Sequence, residues 1–197
     1  MLVGNEHKKY LDAASANSFA LWHAKGIYEN QRKDYKDRRV LNLTRSGYAS
    51  GQKYGAVLWS GDTCATWETL RIQIKEGLNM GLSGYPYWTL DIGAFFTVGE
   101  DWRKRGCGGG GDLTRFWFWK GDYDDGVKDK GYCELYTRWM QVGAFLPMFR
   151  SHGTDTPREI WNFGEPGTMF YDAIAKAIKL RYYLMPYIYS LAGAVHF

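Results

Sequence analysis

The order of apolar and polar positions divides the chain into a repeating unit. Between Leu11 and Arg32, the residues Ala13, Ala14, Ala16, Phe19, Ala20, Trp22, His23 and Ile27 recur at mixed helical spacing, which predicts a helix. The charged stretch Arg32 to Arg39 leads into Val40-Leu41-Asn42-Leu43-Thr44, a short strand. A loop with Gly and Ser, Ser46 to Gly55, precedes a second apolar run, Ala56-Val57-Leu58-Trp59, which breaks at Ser60-Gly61-Asp62. Thr66 to Leu78 then reads as a helix, and a third run, Met80 to Trp88, ends at Thr89-Leu90-Asp91-Ile92-Gly93. Thr97 to Gly131 is irregular. Helical spacing resumes over Glu134 to Gln141, and a fourth apolar run, Gly143 to Phe149, ends at Arg150-Ser151-His152-Gly153. A last helix runs from about Thr168 to Leu191, with a kink expected at Pro186.

Strand, polar loop and helix follow one another, and the apolar runs do not alternate. A strand buried on both faces of a parallel sheet has that pattern, so the fold class is α/β. Polar residues gather where the strands stop: Arg45, Asp62, Asp91 and His152. Active sites of (β/α) barrels lie at the C-terminal strand ends; a doubly wound sheet would place its ligand at the same edge. A complete eight-stranded barrel takes about 250 residues. Here 197 residues hold four strand units, which is about half a barrel.

Composition narrows the class. Hydrophobic residues are 45%, charged 23% and aromatic 17%, with 24 Gly and 5 Pro, which excludes disordered, collagenous and coiled-coil chains. The formal net charge of +4, with the signs interspersed, is too mild to point to nucleic acid. Cys64, Cys107 and Cys133 lack zinc spacing and read as free thiols. Met1 to Lys9 has no long apolar core and does not read as a signal peptide. Leu82 to Val98 is interrupted by Asp91 and is not a membrane span.

The strand ends carry the candidate chemistry. Asp62 follows Trp59-Ser60-Gly61, and a partly desolvated carboxyl beside a Trp suits a general acid. An Asp capping the nearby helix would look the same in sequence. Asp91 follows Tyr85, Tyr87 and Trp88 and could hold a sugar hydroxyl, act as a second carboxylate, or form the turn before Gly93. Arg45 and His152 could bind hydroxyls or a carboxylate, or be satisfied polar groups. Carboxylates, Arg and His beside Trp and Tyr faces suggest carbohydrate chemistry. Retaining glycoside hydrolysis needs two carboxyl groups roughly 5 Å apart. The glycine run Gly108 to Gly111 has no Lys-Ser/Thr after it, so it reads as a loop tip rather than a phosphate cradle. The patch Phe116-Trp117-Phe118-Trp119 could line a cleft, but packing against the rim is favoured.

Several motifs are more specific. Thr44-Arg45-Ser46-Gly47-Tyr48, Gln52-Lys53-Tyr54-Gly55 and Leu58-Trp59-Ser60-Gly61-Asp62 occur in order. Leu82-Ser83-Gly84 through Trp88, Thr89-Leu90-Asp91-Ile92-Gly93 and Phe95 follow. Arg138-Trp139, Gly143-Ala144-Phe145-Leu146-Pro147 and Phe149-Arg150-Ser151-His152-Gly153 complete the set, with His23 to Arg32 before it. Together they resemble glycoside hydrolase family 31 over nearly the whole chain.

That resemblance implies a (β/α)8 barrel enzyme that hydrolyses α-glycosidic bonds with retention. This chain would be a TIM-barrel fragment covering roughly strands 5 to 8. Residues 1–197 would form one partial catalytic domain, with an inserted loop region over 97–130 like that of some bacterial members. By resemblance Asp62 is the acid/base, and Arg45, Trp59, Asp91, Phe95 and His152 line the subsite for the non-reducing-end sugar. The implied partner is an oligosaccharide or α-glycoside, with no metal or organic cofactor. Lys53 stands where the family commonly has Arg, and Ala94 replaces a usual Gly. The family's nucleophile, an Asp upstream of the His23 to Arg32 helix, has no counterpart here. Asp12 lies within the expected helix and lacks a Trp-rich strand end. The expectation is a truncated piece, of α-glucosidase type, that cannot complete a double displacement alone. An α-xylosidase and a non-catalytic carbohydrate-binding remnant are the alternatives. A nucleotide-binding domain has little support, since no glycine fingerprint follows a strand.

Overall fold

The computed structural model describes residues 15–99 and 120–196. Asp12, Cys107, the glycine run, the Phe116 to Trp119 patch and most of the expected insertion lie outside them. The chain divides into two compact units, Met1–Leu58 and Trp59–Phe197.

In the first unit a single 3-10 turn, Ala16–Ser18, runs into helix α1 (Phe19–Asp34). Arg32 and Lys33 sit in its last turn, where cations complement the helix dipole. Strand β1 (Asn42–Thr44) starts later than Val40, because only from Asn42 does the backbone find a partner. It pairs in parallel with β2 (Ala56–Trp59), Asn42 opposite Ala56 and Thr44 opposite Leu58. Ala56, Val57 and Leu58 are all buried, as a non-alternating run requires. Buried Asn42 ties the unit together: its Nδ2 donates to the carbonyls of Tyr54 (2.9 Å) and Ala24 (3.4 Å). Gly55 closes the connection at φ 69°, with its Cβ position 2.4 Å from the Val40 carbonyl oxygen, so no other residue fits.

In the second unit helix α2 (Trp67–Leu82) starts where Thr66 Oγ1 accepts the Thr69 N–H at 3.0 Å. It continues four residues past the expected Leu78, absorbing the start of the third apolar run. What stops it is Gly84 in the left-handed conformation (φ 82°), with Tyr85 N–H returning to the Met80 carbonyl. Strand β3 is therefore only Trp88–Thr89. The Trp88 ring lies over Gly77 of α2, 2.9 Å from where a Cβ would stand.

Helix α3 (Lys130–Gly143) is capped by Asp129, whose carboxylate accepts the Gly131 N–H at 2.7 Å. The fourth apolar run is not a strand. Gly143 ends α3, and Phe145 and Leu146 turn back on Val142 and Gly143. Arg181 donates to the carbonyls of Ala144, Leu146 and Pro147, which takes those acceptors out of any ladder. Only Ser151 keeps a parallel bridge, to Ile92. Helix α4 (Met169–His196) passes through Pro186 and beyond the expected Leu191. Among the described residues, no helix is long and apolar enough to cross a membrane. Trp139, Tyr132, Tyr136, Leu90, Ile92 and Ile174 fill the core. Cys64 and Cys133 are buried free thiols.

The chain is fastened to itself on either side of residues 100–119. Gly99 N–H donates to Asp124 Oδ1 at 2.7 Å, and Gly121 and Tyr123 N–H donate to the Val98 and Thr97 carbonyls at 2.9 and 3.1 Å.

Candidate functional site

Short strands continue past their ends as single bonds, and this is what assembles the site. Phe95 and Phe96 N–H both reach the Thr63 carbonyl (2.9 Å), and Ala65 N–H reaches that of Phe96 (2.8 Å). On the other side, Ile92 N–H meets the Arg150 carbonyl (3.3 Å) and Thr154 N–H that of Phe95 (3.1 Å). The segments after β2, after β3 and around Ser151 thus lie side by side.

Asp91 stands in the middle segment. It is fully buried, and its Oδ1 accepts from Arg150 Nη1 at 2.5 Å. Its Oδ2 is buried with no hydrogen-bond partner. Burial pushes its pKa above the ordinary carboxylate value; the Arg150 guanidinium and His152 oppose that rise, and Asp62 adds to it. The turn before Gly93 forms as well, through the Asp91 backbone carbonyl and the Ala94 N–H (2.9 Å), which leaves the carboxylate free for Arg150.

Trp59 is half-buried, with the Arg150 guanidinium 5.8 Å from its ring centroid. Its indole N–H is buried and unpartnered, and so are Ser60 Oγ and Thr63 Oγ1. Such orphaned groups each cost about 1–3 kcal/mol unless something satisfies them. Phe95 is half-buried and His152 exposed, their ring centroids 5.5 Å apart. Asp62 is half-buried after Gly61 at φ 80°. It does not cap α2, a role that belongs to Thr66. Arg45 is exposed at the end of β1, in the first unit.

The structure therefore brings Trp59, Asp62, Asp91, Phe95 and His152 together within one unit. Sequence reading missed Arg150 as the partner of Asp91. The signal was its place two residues before His152, on the same face of an extended segment. Among the described residues, no group of three His, Cys, Asp or Glu could hold a metal ion. A cavity of about 910 Å³ lies elsewhere in the unit, lined by Tyr87, Phe145, Pro147, Met185 and Tyr189, and touches none of the strand-end residues. It is apolar and sits by the start of β3, so it is not the candidate site.

Residues 3–191 match the model of the glycosyl hydrolases family 31 TIM-barrel domain. The chain belongs to glycosyl hydrolase family 31. It is 39% identical over 176 residues to an α-xylosidase of Saccharolobus solfataricus, covering 89% of this chain and 20% of that protein. Human neutral α-glucosidase C is 34% identical over 183 residues, 91% of this chain and 16% of its own length. Among solved structures, a family 31 α-xylosidase from Xanthomonas citri superposes with a TM-score of 0.72 at 41% identity, over 90% of this chain and 17% of that one. The family 31 chain described here is thus part of a TIM barrel, and it spans about a fifth of the length of the relatives it matches.

Proposed function

We propose that the strand-end cluster is the sugar-binding and acid/base half of a retaining α-glycosidase site acting at non-reducing ends. The observation that carries this reading is Asp91, buried with one oxygen on Arg150 and the other unpartnered. A fixed carboxylate with a free buried oxygen is an acceptor for a sugar hydroxyl. The Trp59 indole N–H offers a donor, and Trp59 and Phe95 offer faces for the ring.

Asp62 is the acid/base in this reading. Half-burial lets it exchange protons with solvent, protonating the departing oxygen and then activating water. Asp91 takes the binding role in this reading, with Oδ1 held on Arg150 and Oδ2 left for the sugar. The nucleophile then comes from a carboxylate outside this cluster. In this reading β1, β2, β3 and the bridged Ser151 segment correspond to strands 5 to 8 of one partial barrel domain, with the stretch 97–130 as an insertion.

Identity does not separate an α-xyloside from the α-glucoside expected from sequence: two α-xylosidases stand at 39% and 32% identity and the human α-glucosidase at 34%. The two sugars differ only in the hydroxymethyl group at C6. Titration of the chain with xylose and glucose, followed by NMR, tests the reading. Binding that disappears in Asp91→Asn is the expected result, and no perturbation of Trp59 or His152 by either sugar overturns it. Nitrophenyl α-xyloside and α-glucoside should not be turned over by this chain alone.

A further inference from the structure

The loop that presents Asp91 and Phe95 is not at ease by itself. Gly93 and Ala94 take φ of 89° and 63°, and a left-handed alanine costs roughly 1–2 kcal/mol. Ala94 is fully buried, so solvent contributes nothing to holding it there. The restraint comes from a segment further along the chain. Arg158 Nη2 donates to the Ala94 carbonyl (2.5 Å), to Thr97 Oγ1 (3.0 Å) and to the Phe95 carbonyl (3.3 Å). Its Nη1 donates to the Thr156 carbonyl at 2.6 Å. Asp155 takes the complementary groups, accepting from Thr97 N–H at 3.0 Å and Val98 N–H at 3.1 Å.

Two further contacts set where the clamp stands. Tyr136 Oη donates to the Arg158 carbonyl at 3.1 Å, which anchors the clamp to α3. Gly153 lets the guanidinium through, since a Cβ there would lie 2.0 Å from it. Gly153 immediately follows His152. One short segment therefore offers His152 to the site and grips the backbone of the loop bearing Phe95.

We propose that Arg158, with Asp155, is a positioning residue that fixes the spacing of Phe95 and His152 across the sugar subsite. The inference rests on the reading of those two residues as subsite walls. Arg158 touches backbone, not the sugar, and acts through the loop. Its planar fork satisfies several acceptors at once, and a lysine, as a point donor, cannot reach all of them.

The test uses the full chain and the imidazole resonances of His152, which the Phe95 ring shifts at 5.5 Å. Phe95→Leu defines the resonance without that ring. Arg158→Met, still folded by circular dichroism, should lose most of the ring-current displacement, and Arg158→Lys should keep part of it. If Arg158→Met does not fold, Asp155→Asn, which keeps the shape of the side chain, should show the same change at smaller amplitude. A folded Arg158→Met with His152 unmoved, or in its place a folded Asp155→Asn with His152 unmoved, overturns the proposal. Titration with xylose and glucose separates the two readings. His152 displaced in the variants without either sugar binding to any form leaves the clamp standing and sinks the glycosidase site.

Discussion

Asp62 and Asp91 follow two successive strands, yet their surroundings differ in almost every respect. Asp91 is sealed from solvent and paired with Arg150 at 2.5 Å, and three of its neighbours are ionisable. Asp62 sits half-buried beyond a left-handed glycine. The difference matches the two roles proposed for these carboxylates. A fixed, desolvated group can recognise a hydroxyl, whereas a group at the solvent boundary can gain and lose a proton in each cycle.

The sharpest way to break this comparison is to exchange the costs. In a full-length enzyme carrying this segment, Asp62→Asn should lower kcat by roughly 10²–10⁴-fold, with a stability change of about 1 kcal/mol or less. Rates on aryl α-glycosides and urea midpoints check both halves. Arg150→Met should act the other way, destabilising the folded chain by about 3 kcal/mol at neutral pH because Asp91 is left buried and unpaired. The loss should shrink in acid, where protonation relieves it.

The pH dependence sharpens the same point. Burial raises the Asp91 pKa in the folded state above the usual 3.8, so the native state binds the proton more tightly than the unfolded chain. The stabilisation from that proton is complete below 3.8 and is lost as pH rises through the folded value. The melting temperature of the wild type minus that of Asp91→Asn should therefore fall across that window. A flat difference would put Asp91 in a less desolvated place.

Smaller effects probe the frame around Asp91. Tyr136 bonds Ser151 Oγ at 2.9 Å and the Arg158 carbonyl at 3.1 Å, and burial pushes its phenol up to about 12. Tyr136→Phe should cost about 1 kcal/mol by chemical denaturation. Ala94→Gly relieves the left-handed backbone but loosens the unfolded chain, so a net gain of only about 0.5 kcal/mol is expected.

The sequence reading succeeded where the information was local. Ala56 to Trp59 is an uninterrupted apolar run, and Ala56, Val57 and Leu58 are all buried. Asp62, Asp91 and His152 lie within a few positions of the apolar runs they follow, so their nearness to one another was legible, while their roles rest on the proposal. The failures came from distant partners. The run Gly143 to Phe149 reads as a strand until Arg181, on another helix, takes its carbonyls. Met80 to Leu82 is apolar enough for a strand, but α2 continues through it until Gly84. The Arg150–Asp91 pair joins residues 59 positions apart, and the Arg158 bonds to Ala94 and Thr97 span 64 and 61. No periodicity in a sequence announces such contacts.

The bonds joining Gly99 to Asp124 and Gly121 to Val98 have a mechanical consequence. Gly121 comes so close that a Cβ there would lie 2.0 Å from the Thr97 carbonyl oxygen. The stretch after Phe95 is therefore gripped from two directions, with Asp155 taking the Thr97 and Val98 N–H groups and Gly121 and Tyr123 taking the carbonyls of the same two residues. A push on one grip is resisted by the other, so Phe95 is braced as a beam is by supports on opposite sides.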